Sequence, residues 1–347
     1  MKCLKPFVLL AAAICGIVLL TQTIQDASAG QETARRNFLQ STFGAKGNFE
    51  VYVPQGDVIT HYWRDNDNIL FPWHLGTDKL FYPCPDIKCA KPRSITLIQG
   101  NFIGGSGKGN FEAIVRVAQP NVPDRLDSWY LDTGSWKWKG PFPLIADGQA
   151  VTGVTGDPVL IQSTWGIKGD FELFVPQGNT VMHYSRDNDN LPFPWHIRAD
   201  GFRYSCPLKP CSVPSGLSVI QSTYKGDGTH GNFEAVVRVA QPGSSQPDHL
   251  DFWYFHSGTL TWQGPFPIIA DGALATNITG DPVLIQHVWP PGNFEVYVPR
   301  GHEITHYYRN NDDSLLRWHI GSDSLVYPCK PSPCAMPRAV TFIQSNF

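Results

Sequence analysis

The sequence is poor in charge. Only 16% of its 347 residues are Asp, Glu, Lys or Arg, whereas an average globular domain has about 25%. A coiled coil or a helical bundle needs more charge, and tolerates far fewer than the 32 Gly and 29 Pro of this chain. A basic excess is also missing, because 27 Lys and Arg stand against 30 Asp and Glu. We therefore expect no nucleic-acid partner.

Aromatic side chains are abundant instead. The chain has 11 Trp, 12 Tyr and 20 Phe, which a disordered chain would not carry. Short segments rich in β-branched and aromatic residues, such as Phe49–Pro54, are bounded by Gly, Pro, Asn or Asp. This pattern is typical of β-strands joined by turns. The sequence therefore predicts an all-β globular protein with a substantial core.

One long apolar run is present, and it lies at the N-terminus. Two lysines in residues 1–5 precede the apolar residues 7–20, and Ala27-Ser28-Ala29 follows. This order of basic, apolar and small residues is that of a secretory signal peptide, and the run is shorter than the about 20 residues of a membrane span. We expect residues 1–29 to be a signal peptide and residues 30–347 to be a single secreted domain with no membrane span.

Six of the eight cysteines form three C-x4-C pairs about 122 residues apart. An even count at regular spacing in an exported chain indicates disulfides, and bonding within each pair is the simplest arrangement. Zinc is the alternative, but no His or Cys recurs beside the pairs, so we expect no metal. The predicted disulfides are Cys84–Cys89, Cys206–Cys211 and Cys329–Cys334.

A Gly-Asn/Asp-Phe-Glu motif occurs five times with a period near 61 residues, at residues 47–50, 109–112, 169–172, 231–234 and 292–295. Such self-similarity indicates a repeat architecture. About four strands fit into each repeat, and radial repetition of four-stranded sheets makes a β-propeller. We predict a propeller of five four-stranded blades. A six-bladed or incomplete ring is the alternative, because a sixth copy of a Leu-Ile-Gln strand motif, Phe342-Ile343-Gln344, ends the chain.

The repeats alternate between two types. The odd repeats carry an aromatic, an Arg and Asp/Asn residues after a strand, and then a Trp-His pair. An aromatic ring packs on the apolar face of a sugar, while Arg and Asp hydrogen-bond to its hydroxyls. The predicted ligand-binding residues are Trp63, Arg64, Asp65, Trp73, His74, Arg186, Asp187, Trp195, His196, Arg309, Trp318 and His319. The alternative is that these aromatics form the core between blades and that the Asp residues make turns.

Catalytic residues do not stand out in the sequence. The Glu of each Gly-Asn-Phe-Glu copy recurs in every repeat, which a structural need shared by all blades explains better than catalysis. Residues 65–68 and 187–190 contain Asp and Asn that could coordinate calcium, but they lack the glycine and the distant Glu of an EF-hand loop. We expect no cofactor. Asn277-Ile278-Thr279 is the one glycosylation sequon after residue 29.

The runs GNFEVYVPQG (residues 47–56), ITHYWRDND (59–67) and PWH (72–74) resemble the repeat of the PLL-like β-propellers, which are bacterial fucose-binding lectins. The resemblance covers all five repeats and is thinner in the even ones. It implies glycan pockets between neighbouring blades. We therefore expect a secreted lectin that binds glycans or glycoproteins multivalently and is not an enzyme. A protein-binding or structural propeller without sugar binding is the second hypothesis, and a secreted glycoside hydrolase is the third.

Overall fold

Five β-sheets follow one another along the chain. The computed structural model describes residues 37–82, 90–103, 107–206, 211–243, 245–288, 292–327 and 336–343. Each sheet contains four consecutive strands that pair antiparallel in chain order, and each corresponds to one sequence repeat. We call these sheets blades 1 to 5. The predicted signal peptide (residues 1–29) and the pairs Cys84–Cys89 and Cys329–Cys334 lie outside the described residues.

The strands of each blade have the following bounds. Blade 1 contains β1 (Phe38–Gln40), β2 (Phe49–Gln55), β3 (Val58–Arg64), β4 (Trp73–Leu75) and a short β5 (Leu80–Phe81). Blade 2 contains β6 (Lys91–Ile103), β7 (Gly109–Gln119), β8 (Val122–Asp132) and β9 (Lys137–Pro143). After the short strands β10 (Ile145–Ala146) and β11 (Gln149–Ala150), blade 3 contains β12 (Val159–Gln162), β13 (Phe171–Gln177), β14 (Thr180–Arg186) and β15 (Trp195–Arg203).

The remaining two blades repeat this plan. Blade 4 contains β16 (Val213–Lys225), β17 (Gly231–Ala240), β18 (His249–His256) and β19 (Thr261–Pro267). The short strands β20 (Ile269–Ala270) and β21 (Ala273–Leu274) follow. Blade 5 contains β22 (Val283–Gln286), β23 (Phe294–Arg300), β24 (Glu303–Arg309), β25 (Trp318–Ile320) and a short β26 (Leu325–Val326).

The first strands of consecutive blades contact one another: β1 with β6, β6 with β12, β12 with β16 and β16 with β22. They are therefore the inner strands, and the outer strands point away from them. This arrangement is a β-propeller of five four-stranded blades, and it confirms the predicted fold class. None of the described residues forms a helix, and accordingly none of them belongs to a helix that could cross a membrane.

The repeated Gly-Asn-Phe-Glu motif has a local structural explanation. Gly47 has a φ of 72°, the left-handed conformation that favours glycine. The Oδ1 of Asn48 accepts the backbone N–H of Asn66, which fixes the turn after β3. Phe49 is buried, and Glu50 accepts a hydrogen bond from the hydroxyl of Ser41. Each residue of the motif in blade 1 therefore stabilises a turn or packs inside the blade.

Alternate residues of a strand face opposite neighbouring blades, as the two-residue period requires. In β17, Phe233, Ala235 and Val237 pack into a hydrophobic cluster with residues of blade 3. Val236, between them, belongs to the cluster that blade 4 shares with blade 5. Two further clusters join blades 1 and 2 and blades 2 and 3. The cores of this protein thus lie between blades.

A glutamine on the inner strand also links one blade to the blade before it. The Oε1 of Gln99 accepts the backbone N–H of Thr42 at 2.7 Å, and its Nε2 donates to the Thr42 hydroxyl. Gln221 and Gln286 accept the backbone N–H groups of Thr164 and Thr223 in the same way. The repeated Leu-Ile-Gln motif of the sequence is therefore a contact between blades.

A disulfide joins Cys206 and Cys211, directly after β15, as predicted. It closes a loop with a sequence separation of only 5 residues. Loop-closure entropy predicts that Cys206→Ser will lower the free energy of unfolding by about 2 kcal/mol. Urea unfolding of the oxidised wild type and the variant measures this loss. If the variant has a lower free energy of unfolding than the reduced wild type as well, the loss does not come from loop closure by the disulfide.

Candidate active site

Of the three arginines predicted to bind ligand, Arg186 and Arg309 lie between blades, and Arg64 occupies the same position in blade 1. The guanidinium carbons of Arg64, Arg186 and Arg309 lie 4.1–4.4 Å from the ring centroids of Phe49, Phe171 and Phe294, respectively. Each Nε donates to the side chain of the Asn two residues later. These side chains are largely enclosed by aromatic rings and hold the turn after the third strand of each odd blade.

The other predicted ligand residues have structural contacts. Trp63 stacks on His74 at 4.3 Å. The three tryptophans Trp73, Trp195 and Trp318 lie within 6.0 Å of the arginine of their own blade. Asp65 and Asp187 each accept two backbone N–H groups of the following turn, and the described residues contain no cluster of acids, His and Cys suited to a metal ion. His196 and His319 bond to Asp147 and Asp271 through Nδ1.

A buried histidine bridges two carboxylates in every odd blade. In blade 1, His61 Nε2 lies 2.8 Å from Glu50 Oε2, and its Nδ1 lies 2.6 Å from Asp78 Oδ1. Burial alone would lower the pKa of His61, but the hydrogen bonds to Asp78 and Glu50 outweigh it and raise this pKa to about 9. His183 bridges Glu172 and Asp200, and His306 bridges Glu295 and Asp323. This explains the Glu of the repeated motif in odd blades.

In even blades the same Glu faces the arginine of the next blade. Arg186 Nη1 lies 3.5 Å from Glu112 Oε2. The positive charge of Arg309 lowers the pKa of Glu234. Burial raises the pKa of Glu112 to about 7 and that of Glu234 to about 8, against the opposing effect of these arginines. The Glu of the motif therefore has two different partners according to blade type.

A groove of about 840 Å³ opens between blades 3 and 4. Its blade 3 side is strand β15 from His196 to Arg203, and its blade 4 side includes Trp253, Leu260 and Trp262. This volume lies within the range of sites for small organic ligands, about 300–1,000 Å³. Indole rings beside charged side chains give the groove both an apolar surface and hydrogen-bonding groups.

Two polar atoms of the groove-lining residues lack protein partners. Asp200 Oδ2 and Trp262 Nε1 are buried, and neither has a hydrogen-bond partner in the part of the chain that the structure describes. One is an acceptor and the other a donor. A hydroxyl group, which both donates and accepts, is the chemical group that satisfies such a pair.

The matching interface between blades 1 and 2 shows why Asp200 Oδ2 and Trp262 Nε1 lack partners. There, Asp78 Oδ2 accepts the hydroxyl of Tyr52 at 3.0 Å and the Nε1 of Trp138 at 3.2 Å. At the corresponding positions of blade 3, Phe174 replaces Tyr52 and Phe202 replaces Leu80.

Both replacements leave a polar group unpaired. Phe174 has no hydroxyl to donate to Asp200. The ring of Phe202 lies 4.7 Å from the rings of both Trp253 and Trp262, so the indole of Trp262 packs on Phe202 and its Nε1 does not bond to Asp200.

Charges in the groove favour an ionised Asp200. Burial alone would raise the pKa of Asp200, but the hydrogen bond from His183 outweighs it and lowers this pKa. Arg198 and Arg203 also line the groove. At its other end, Asp147 accepts hydrogen bonds from His196 Nδ1 and the backbone N–H of Ile197, each at 2.8 Å. Asp147 is therefore a second carboxylate beside the groove, and it fixes the position of the His196 ring.

Of the predicted ligand residues, the groove includes His196 alone. Sequence reasoning missed Asp200, Trp253 and Trp262. The available signal was the substitution of Phe174 and Phe202 for Tyr52 and Leu80 between otherwise similar repeats. That signal has meaning only when the positions are known to meet across two blades.

No family model and no curated protein match the sequence. Solved structures do match the fold, and several of them, including the following three, are glycoside hydrolases. They are an α-L-arabinanase of Penicillium chrysogenum (TM-score 0.55, 10% identity, 83% of this chain and 80% of that chain), an α-L-arabinofuranosidase of Fusarium graminearum (0.54, 9%, 83% and 80%) and an exo-β-1,3-galactanase of Phanerochaete chrysosporium (0.51, 9%, 88% and 67%). At such identities the likeness shows a shared β-propeller fold.

These comparisons correct two expectations from the sequence. The three similar propellers named above are glycoside hydrolases, so the expectation of a multivalent lectin is wrong, and so is the expectation that the protein is not an enzyme. The β-propeller of the predicted family is correct, but membership of the PLL-like lectins is not shown. The resemblance rested on residues that the structure uses to build blades.

Proposed function

We propose that this protein is a secreted enzyme that cleaves glycosidic bonds in polysaccharides, with its substrate in the groove between blades 3 and 4. The observation that carries the proposal is Asp200, a groove-lining carboxylate whose side chain is 14% exposed and whose Oδ2 has no protein partner among the described residues. The similar solved structures support an activity on glycans. The groove also has the mixed apolar and polar lining that ligand sites require.

Glycoside hydrolysis needs a carboxylate on one side of the bond and a proton donor on the other. In the proposed hydrolysis, ionised Asp200 accepts a proton from the water molecule that attacks the anomeric carbon. His196, whose Nδ1 donates to Asp147, gives the Nε2 proton of its protonated ring to the departing glycosidic oxygen.

A bulge in β15 brings these groups closer together. Residues 198 and 202 lie opposite His183 and Val181, so four steps along β15 match two along β14. The Cα atoms of His196 and Asp200 are therefore closer together than the about 13 Å that four residues of regular strand span.

Activity of purified protein on arabinan, β-1,3-galactan and other polysaccharides tests the proposal through release of reducing ends. Asp200→Asn is expected to reduce the rate at least about 100-fold. The matched control is Asp78→Asn, because Asp78 occupies the same position between blades 1 and 2 and has its hydrogen bonds satisfied. Release of no reducing ends by the wild type, or an equal loss in both variants, would refute the assignment.

We further propose that the mature protein is the single propeller domain of residues 30–347, exported by the signal peptide of residues 1–29. The disulfide Cys206–Cys211 supports export, since disulfides persist in oxidising compartments. The similar solved structures act on polymers, which fits an enzyme outside the cell. N-terminal sequencing of the secreted protein is expected to begin at Gly30.

A further inference from the structure

Arg198, in the groove between blades 3 and 4, has no equivalent in the other odd blades. The Trp-His pair of each odd blade is followed by one aliphatic residue, and then by Gly76 in blade 1, Arg198 in blade 3 and Gly321 in blade 5. The arginine therefore occurs only in the blade whose Asp200 Oδ2 lacks a partner. A structural need shared by all odd blades does not explain it.

The backbone of blade 3 also differs from that of blade 1 at this position. A Cβ atom added to Gly76 would collide with Nδ1 of His61. In blade 3 the equivalent histidine is His183, and it lies opposite Arg198. Here β15 is one continuous strand, whereas blade 1 has the two short strands β4 and β5 in its place. The fourth strand of blade 3 therefore admits a side chain where blade 1 requires glycine.

Arg198 is not needed to hold Asp200 in place. Its Nε lies 4.0 Å from Asp200 Oδ1, which is beyond hydrogen-bond distance. That oxygen already has a hydrogen bond with His183 Nδ1 at 3.0 Å. The equivalent bridges of blades 1 and 5 form with glycine at the position of Arg198. The histidine bridge therefore does not account for the arginine.

An arginine with a structural role has closer carboxylates in this protein. Arg116 Nε lies 2.7 Å from Asp124 and its Nη1 lies 3.3 Å from Asp157, and its side chain is 8% exposed. The side chain of Arg198 is 40% exposed, and within the described part of the chain Asp200 is its only ionic contact. The terminal nitrogens of Arg198 therefore have donors for a ligand in the groove.

We propose that Arg198 binds a carboxylate or sulfate group of the substrate, so that the polysaccharide held in the groove is an anionic one. This inference rests on the proposed function, because it takes the groove as the substrate site. A guanidinium group presents parallel N–H donors that match two oxygens of such an anion. Among the described residues that line the groove, Asp200 is the only acid, and its unpaired oxygen is kept for the reaction.

Arg203 provides a matched control on the same strand. Its Nε donates to the hydroxyl of Thr180 at 3.1 Å. It directly follows Phe202, whose ring packs on Trp253 and Trp262 of blade 4. Because successive side chains of a strand point to opposite faces, the side chain of Arg203 points away from blade 4. Its replacement removes the same charge from β15 and leaves the proposed contact intact.

Isothermal titration calorimetry with two pairs of polymers tests the inference: polygalacturonate against its methyl ester, and dextran sulfate against dextran. The wild type is expected to bind the charged member of at least one pair more tightly in about 0.15 M salt, which screens distant charges. Arg198→Gln is expected to weaken this binding about 10–100-fold, and Arg203→Gln less than about 3-fold. The pair that responds distinguishes a carboxylate from a sulfate ester.

Both variants are expected to keep the Tm of the wild type within about 3 °C. No preference for either charged polymer, or equal losses in both variants, would overturn the inference. Hydrolysis of a neutral polysaccharide at a rate that Arg198→Gln leaves unchanged would also overturn it, while the proposed function would stand. Binding that depends on Arg198 without release of reducing ends would support the inference and refute the proposed hydrolysis.

Discussion

Replacing Arg186 with methionine is expected to lower the free energy of unfolding by about 3–5 kcal/mol at pH 8.5. Arg186 and Glu112 join blades 3 and 2, with side chains 14% and 11% exposed. Methionine retains much of the apolar contact with Phe171, but it leaves Glu112 as a buried charge without a partner. Urea unfolding followed by tryptophan fluorescence measures the loss.

The loss should depend on pH in a defined direction. Burial raises the pKa of Glu112 to about 7 even beside Arg186, and without Arg186 this pKa rises further. At pH 5.5 the carboxyl group is protonated in the variant, so the loss is expected to fall to about 1–2 kcal/mol. The double variant Arg186→Met/Glu112→Gln should recover most of the stability at pH 8.5. Equal losses at both pH values, or no recovery, would contradict the ion pair.

The fold was predictable because its structural needs recur at a fixed period. Every blade has a buried phenylalanine followed by a glutamate at one turn, and the odd blades also need a left-handed glycine there, as Gly169, Phe171 and Glu172 show in blade 3. Five copies of such a set identify both the repeat and its strands. The roles of Gln99 and His61 as contacts were not predicted, because their partners, Thr42 and Asp78, are neighbours only after the strands have paired.

The candidate site was not predictable in the same way. Repetition drew attention to Arg64, Asp65 and Trp73, and residues copied in each odd blade are those that the blade itself needs. The candidate site is distinguished where the copies differ, since Phe174 and Phe202 leave Asp200 Oδ2 without a partner. The contacts concerned join blades 3 and 4, and a difference of one hydroxyl group between repeats does not reveal them in a linear sequence.

Raising the pH from 6.5 to above 9 is expected to destabilise the protein through its histidine bridges. The folded-state pKa of His61 is about 9, above the ordinary value of 6.5. The stabilisation is therefore complete below pH 6.5 and is lost as the pH rises through 9. A shift of this size corresponds to about 3 kcal/mol for His61. Thermal unfolding between pH 5.5 and 9.5 measures the total effect.

Glu112 and Glu234 of the even blades also make the protein less stable as the pH rises. A variant must therefore separate the contribution of the histidines from that of these glutamates. Burial raises the pKa of Glu112 to about 7 and that of Glu234 to about 8, and their proton-linked stability is lost from about pH 4.5 upwards. His61→Gln is expected to be less stable than the wild type at pH 6 and to lose less stability between pH 6.5 and 9.

The three bridges should not contribute equally. His183 is fully buried between Glu172 and Asp200, whereas the Asp323 partner of His306 is 63% exposed to solvent. Solvent screens an exposed carboxylate and weakens its effect on the histidine. His183→Gln should therefore flatten the pH profile more than His306→Gln does. Parallel profiles for the wild type and all three variants would show that the alkaline loss comes from groups other than the bridges.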